Sequence, residues 1–197
     1  MKKIVLSIVS AFALVALSVV PAKAAVMTVA VSLNGVTNTT ANSSATPAAL
    51  PVPEDNSVDA PDALKFVATV DTGTAVSVTA TNAFIVSALN ATAAPVTASS
   101  GASTLSVATG TGTSATFYVY TKTTAIGTVV ITNQGTTLTY YVQGQPGKIN
   151  SLAISAADAG TTSSVITATV TATDVFANKV PSKGLTALVV GGTIDTT

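Results

Sequence analysis

The chain has 197 residues, 48% hydrophobic but only 5% aromatic and 8% charged, with a formal net charge of +0 at pH 7. It contains no His, Cys or Arg, which excludes a Ser-His-Asp triad, a Cys nucleophile, an imidazole or thiolate metal site and any disulfide. Without the planar fork of Arg, or a Lys-rich patch in its place, the composition also argues against nucleic acid as a partner.

The first segment opens Met1-Lys2-Lys3, runs apolar over 4–20 and reaches Ala22-Lys23-Ala24 just after Pro21. A positive start, an apolar stretch and an A-x-A site in that order predict a secretory signal peptide cut after Ala24. The rival reading is an uncleaved membrane anchor, since 4–20 is near the lower length limit for a span; Pro21 and the small residues at the cleavage site favour the signal peptide, so the mature chain is expected to have no stable span. Removing 1–24 leaves five Lys against eight Asp plus Glu, a net charge of −3, which describes a mildly acidic exported protein.

Residues 25–33 (AVMTVAVSL) alternate and end at Asn34-Gly35, a turn signal, which predicts a first strand. Residues 37–61 are rich in Thr, Asn, Ser, Ala and Pro. Pro47, Pro51, Pro53 and Pro61 deny ladder donors, and the stretch is expected to be a linker or a long surface loop. It carries most of the acidic cluster Glu54, Asp55, Asp59 and Asp62, whose ordinary role is to keep a linker solvated. Calcium at an inter-domain joint is the functional alternative, but the D-x-D-x-D spacing is lacking.

A full unit is expected over 62–145. Residues 64–70 (LKFVATV) alternate and Asp71-Thr72-Gly73 turns the chain; 75–89 is long enough for one bent strand or two. A loop over 93–101, a short strand at 104–108 and a turn at 110–112 follow. In 115–121 (ATFYVYT), Phe117, Val119 and Thr121 alternate against Tyr118 and Tyr120, and only one set can face the core. Residues 127–132 and 136–143, joined at Asn133-Gln134-Gly135, form a closing hairpin.

Gln145-Pro146-Gly147-Lys148 has no large apolar side chain to bury and carries a Pro-Gly pair, so it is expected to be the domain boundary. Beyond it come strands at 149–155, 165–173 and 185–190, a turn at 157–162 and a loop over 174–181. About fifty residues remain where an immunoglobulin-like unit needs about ninety. The expected fold class is all-β: tandem immunoglobulin-like β-sandwiches, the second incomplete at the C-terminus.

A short repeat supports two units. VSVTATNAF (76–84) and ATVTATDVF (168–176) share Val78/Val170, Thr79/Thr171, Ala80/Ala172, Thr81/Thr173 and Phe84/Phe176, each pair 92 residues apart. A period of that order, built from short alternating strands, is the size of one sandwich.

Few residues carry chemistry. Asp174 and Asn178 bracket a turn ahead of Pro181, where their side chains can bond nearby amides and shape the corner. The competing role is calcium, for which Asp158 and Asp174 are the candidate ligands, with Asp195 a further carboxylate; a calcium site needs six to eight oxygens. Among Tyr118, Tyr120, Tyr140 and Tyr141, one is expected to pack in the core with its hydroxyl bonded at the rim. A sugar-stacking platform would need exposed coplanar rings, and the chain has no Trp. Asn38-Thr39-Thr40, Asn42-Ser43-Ser44 and Asn90-Ala91-Thr92 satisfy N-x-[ST], which chance produces readily in a chain this rich in Thr and Ser.

Residues 166–181 (ITATVTATDVFANKVP) resemble the B-strand and B–C turn of bacterial immunoglobulin-like domains of the invasin/intimin type, with the pattern T-A-x-V-x-D-x-x-G-N-P-V-P. Thr167, Ala168, Val170, Asp174, Asn178, Val180 and Pro181 match; Ala177 stands where the family usually has Gly, and Lys179 where it often has Pro. In the first unit the Asp position is Asn82 and no Asn-x-Val-Pro follows. Residues 112–143 are similar to the closing strands of such domains. The resemblance implies a surface-exposed structural or adhesive array, S-layer-like, without a catalytic site or cofactor. Its partners would be other surface proteins, copies of itself, or glycans. The alternative from another class is a carbohydrate-binding accessory module of a secreted hydrolase, with Tyr118, Tyr120 and Tyr141 as its contacts.

Overall fold

Val and Thr are branched at Cβ, which stiffens χ1 and suits a pleated surface, and strands rich in both dominate this chain. A computed structural model describes residues 26–38, 41–54, 57–89, 96–97, 101–156 and 168–181. Its strands are β1 (Thr28–Leu33), β2 (Val36–Asn38), β3 (Ala48–Pro51), β4 (Ser57–Val58), β5 (Leu64–Thr69), β6 (Ala75–Thr81) and β7 (Phe84–Val86). There follow β8 (Val96–Thr97), β9 (Thr104–Ala108), β10 (Ser114–Tyr120), β11 (Ile126–Asn133), β12 (Thr136–Gln145), β13 (Ser151–Ala156) and β14 (Ala168–Thr173). Apart from one 3-10 turn at Ala60–Asp62, the described chain is all-β.

Two five-stranded sheets, ordered β2-β1-β5-β10-β7 and β3-β12-β11-β6-β9, form a sandwich. Side chains alternate across each strand, so one set per strand faces the other sheet. Leu64, Phe66 and Ala68 of β5 and Ala115, Phe117 and Val119 of β10 meet Val76 and Val78 of β6 and Val129 and Ile131 of β11 in one core. Phe66 stacks on Phe117 within its sheet, at 5.2 Å between centroids, and meets Tyr140 of the opposite sheet edge-on at 5.5 Å. Such pairings are favoured by the ring quadrupole. Phe117, Val119 and Thr121 are buried together and Tyr118 is half-buried, but Tyr120 of the opposite set is fully buried too, so the expectation that only one set is covered fails at the end of β10.

Every pairing in the two sheets is antiparallel except one: β3 lies parallel to β12, Ala48 opposite Val142 and Pro51 opposite Gln145. The chain therefore supplies β1 to one sheet, antiparallel to β5, and β3 to the other. This corrects the sequence expectation for 37–61. Rather than a linker, the stretch contributes β2, β3 and β4 and buries Ala41, Ala48, Leu50, Val52 and Val58. Its prolines are compatible with that role because β3 is an edge strand with one partner, where a missing N–H opens no ladder. The sandwich accordingly begins at β1, not at residue 62.

Turn chemistry behaves as its residues dictate. Asn34 (φ 47) and Gly35 (φ 79) join β1 to β2, and Gln134 (φ 45) and Gly135 (φ 85) join β11 to β12. Positive φ at both central residues is the two-residue hairpin turn whose twist matches its strands. Asn82 (φ 54) breaks 75–89 into β6 and β7, which belong to different sheets.

Beyond the sandwich, β13 and β14 pair antiparallel, Leu152 opposite Ala172 and Ile154 opposite Val170. One face of this hairpin carries Leu152, Ile154 and Val170, all exposed. The expected turn at 157–162 and strand at 185–190 lie outside the described residues. The strand β14, aligned with β6 by the 92-residue repeat, has a different neighbourhood: β6 lies between β9 and β11, whereas β14 pairs with β13. No helix among the described residues is long and apolar enough to cross a membrane.

Candidate functional site

Five residues, 146–150, separate β12 from β13, too few to let the hairpin stand far from the sandwich. The joint is built around the turn that follows β14. Asp174 is 2% exposed, and a buried carboxylate is costly unless its oxygens are bonded. Here they are. Oδ1 accepts the amides of Phe176 (3.0 Å) and Asn178 (2.9 Å), and Oδ2 accepts the amide of Gly147 (3.2 Å) and the Asn178 Nδ2 (2.9 Å). Four donors fill a carboxylate, leaving little lone-pair capacity for a cation.

Asn178 carries the turn onto the sandwich. Its Nδ2 donates to the Lys122 carbonyl at 2.9 Å, and its Oδ1 accepts the Thr124 amide at 3.3 Å. Backbone bonds from Ala177 N to Asp174 O and from Asp174 N to Asn178 O, both 3.0 Å, close the turn itself. The loop after β10 is held in turn by Thr121, whose buried Oγ1 donates to Asn82 O at 2.9 Å and accepts Thr123 N at 3.2 Å. Lys122 Nζ lies 4.2 Å from the Phe84 ring centroid and 6.0 Å from that of Phe176, within cation–π range of both. Phe84 and Phe176 are the aromatic pair of the 92-residue repeat, one from the sandwich and one from the turn. Phe176 also packs against the core. An exposed ion pair between Glu54 and Lys148 lies beside the joint.

Sequence reasoning singled out Asp174 and Asn178 but not their partners. Lys122, Thr124 and Gly147 lie 27 to 56 positions away, and only the shared Phe84/Phe176 signal pointed across the joint. Pro181 ends the described stretch and is exposed. Asp158 and Asp195, like the cleavage residues Ala22 and Ala24, lie outside the described residues.

The other candidates fall elsewhere. Glu54, Asp59 and Asp62 come together at the 3-10 turn. Asp62 is pushed up to about 7, first by burial and then by the Asp59 carboxylate beside it. Among the described residues, no three His, Cys, Asp or Glu side chains converge on a common point fit for a metal ion. Tyr120 is fully buried, stacked on Phe84 at 5.5 Å, with its hydroxyl accepting the Gly101 amide at 3.1 Å. Burial raises the pKa of Tyr120 and of Tyr140. Tyr118 and Tyr141 lie in opposite sheets, so the three rings form no common platform. A shallow cleft of about 290 Å³ lies between β1, Asn38, Ala41 and Tyr140; Asn38 Oδ1 there already accepts the Ala41 amide at 3.0 Å. Of the three N-x-[ST] sites, Asn42 is exposed, Asn38 is half-buried, and Asn90 lies outside the described residues.

Comparison of the chain with protein-family models, curated proteins and solved structures finds no match.

Proposed function

We propose that this chain is an exported, non-enzymatic protein of the cell surface, built from immunoglobulin-like β-sandwich units and acting as a stalk, spacer or lattice subunit with adhesive contacts. The observation that carries this reading is the joint: a sandwich runs through five residues into a second β-hairpin that is bonded back onto it. Successive β-units in end-to-end contact are what a spacer requires, and no concave site with convergent acid, base or nucleophile competes with it among the described residues. The immunoglobulin-like assignment is supported by two sheets of short strands whose connections repeatedly cross between them, β5 to β6, β9 to β10 and β10 to β11 among them. Other surface proteins or further copies of the chain are its natural partners.

Cell fractionation tests the reading. The protein should appear in the envelope fraction, be cut by protease added to intact cells, and begin at Ala25. Recovery from the cytosol with residues 1–24 attached would overturn it.

A further inference from the structure

The geometry points to an interaction surface on the sandwich whose partner is the next unit of the same chain. We infer that the sandwich end formed by Phe84, Lys122 and Thr124, together with the linker at Gly147, is a dock for the Asp174–Asn178 turn, and that this clasp makes sandwich and hairpin tumble as one rigid body.

Three independent contacts converge on the clasp from different parts of the chain. The buried Asp174 carboxylate grips the linker at Gly147 N. Asn178 uses both ends of its amide on backbone groups of the loop after β10, accepting from Thr124 and donating to Lys122. Lys122 inserts its ammonium beside Phe84 and Phe176, one ring from each side of the joint. A flexible connection would leave these groups to water; here the carboxylate is almost wholly withdrawn from it. Withdrawal raises the worth of each bond and the penalty for breaking one alone. A Cβ at Gly147 would sit 3.4 Å from Val52 O and 3.7 Å from Asp174 Cβ, at van der Waals distance, so the linker here runs in contact with both the sandwich and the turn. The clasp does not depend on the surface-protein reading, since it would fix the joint in any setting.

The test uses the chain purified from producing cells, with amide exchange and backbone ¹⁵N relaxation as readouts. In the wild type, β5, β11, β13 and β14 should share one rotational correlation time. Asn178→Ala removes both loop contacts and one of the four donors to Asp174, and should give β13–β14 a shorter correlation time and about tenfold faster exchange, with β5 and β11 unchanged. Lys122→Ala leaves every hydrogen bond inside the turn intact, so it still decides the matter if Asn178→Ala melts the hairpin; it should raise hairpin exchange about two- to fivefold. Separate correlation times already present in the wild type would overturn the clasp, as would a Lys122→Ala hairpin indistinguishable from wild type. Because localisation plays no part in these readouts, their failure is distinct from failure of the proposed function.

Discussion

At Ala177 the backbone takes φ 64, a left-handed conformation in which a Cβ crowds the following carbonyl. Glycine, with no Cβ, takes up such a conformation without that crowding. Ala177→Gly relieves a strain of about 1–2 kcal/mol. Against this stands the greater freedom of glycine in the unfolded chain, about 0.4–1 kcal/mol. The net outcome expected is a tighter turn, seen as about two- to fivefold slower amide exchange in β13 and β14. Asp62 shows the opposite kind of residue, one whose charged form the fold opposes. Its pKa rises from 3.8 to about 7, so the folded state holds the proton more tightly than the unfolded state. Its contribution to stability is therefore complete below about pH 4 and is lost as pH rises toward 7. Asp62→Asn should melt higher than wild type at pH 8 and converge with it near pH 4, as thermal unfolding across that range would show. A constant difference at all pH values would contradict this.

At the scale of elements, the strands that alternate over six or more residues were legible: β5, β6, β10 and the β11–β12 hairpin follow from Val/Thr period-two patterning and Gly turns. What escaped was β3, four residues flanked by prolines, whose place is fixed by the last strand of the sandwich some ninety positions later. Periodicity cannot signal a strand that short, and composition pointed the other way. The joint was half legible for the same reason: Asp174 and Asn178 carry a local turn signature, but Lys122, Thr124 and Gly147 become partners only through tertiary folding. A chain starting at residue 62 tests the corrected boundary. It lacks β1 and β3, leaving β5 and β12 with unpaired edges and the core without Val31, Ala48 and Leu50. Burial of side chains such as Val and Leu is worth about 1.5–3 kcal/mol each, comparable in sum to the whole stability of a small domain. That truncation should give poor chemical-shift dispersion and no cooperative melt, while a chain starting at Ala25 gives both.

For the whole molecule, the parallel pairing of β3 with β12 fixes how the sandwich meets a stretching force. Tension arriving from the N-terminal side meets β1 and β2 first, in the other sheet, and pulls β3 from Ala48 once they give way, while tension leaving toward residue 146 pulls β12 from Gln145. In parallel strands these pulls oppose each other along a common axis. The bonds between Ala48–Pro51 and Val142–Gln145 are then sheared together instead of being unzipped one at a time. The short proline-flanked strand that composition disguised as a linker is thus the part of the sandwich best placed to bear load.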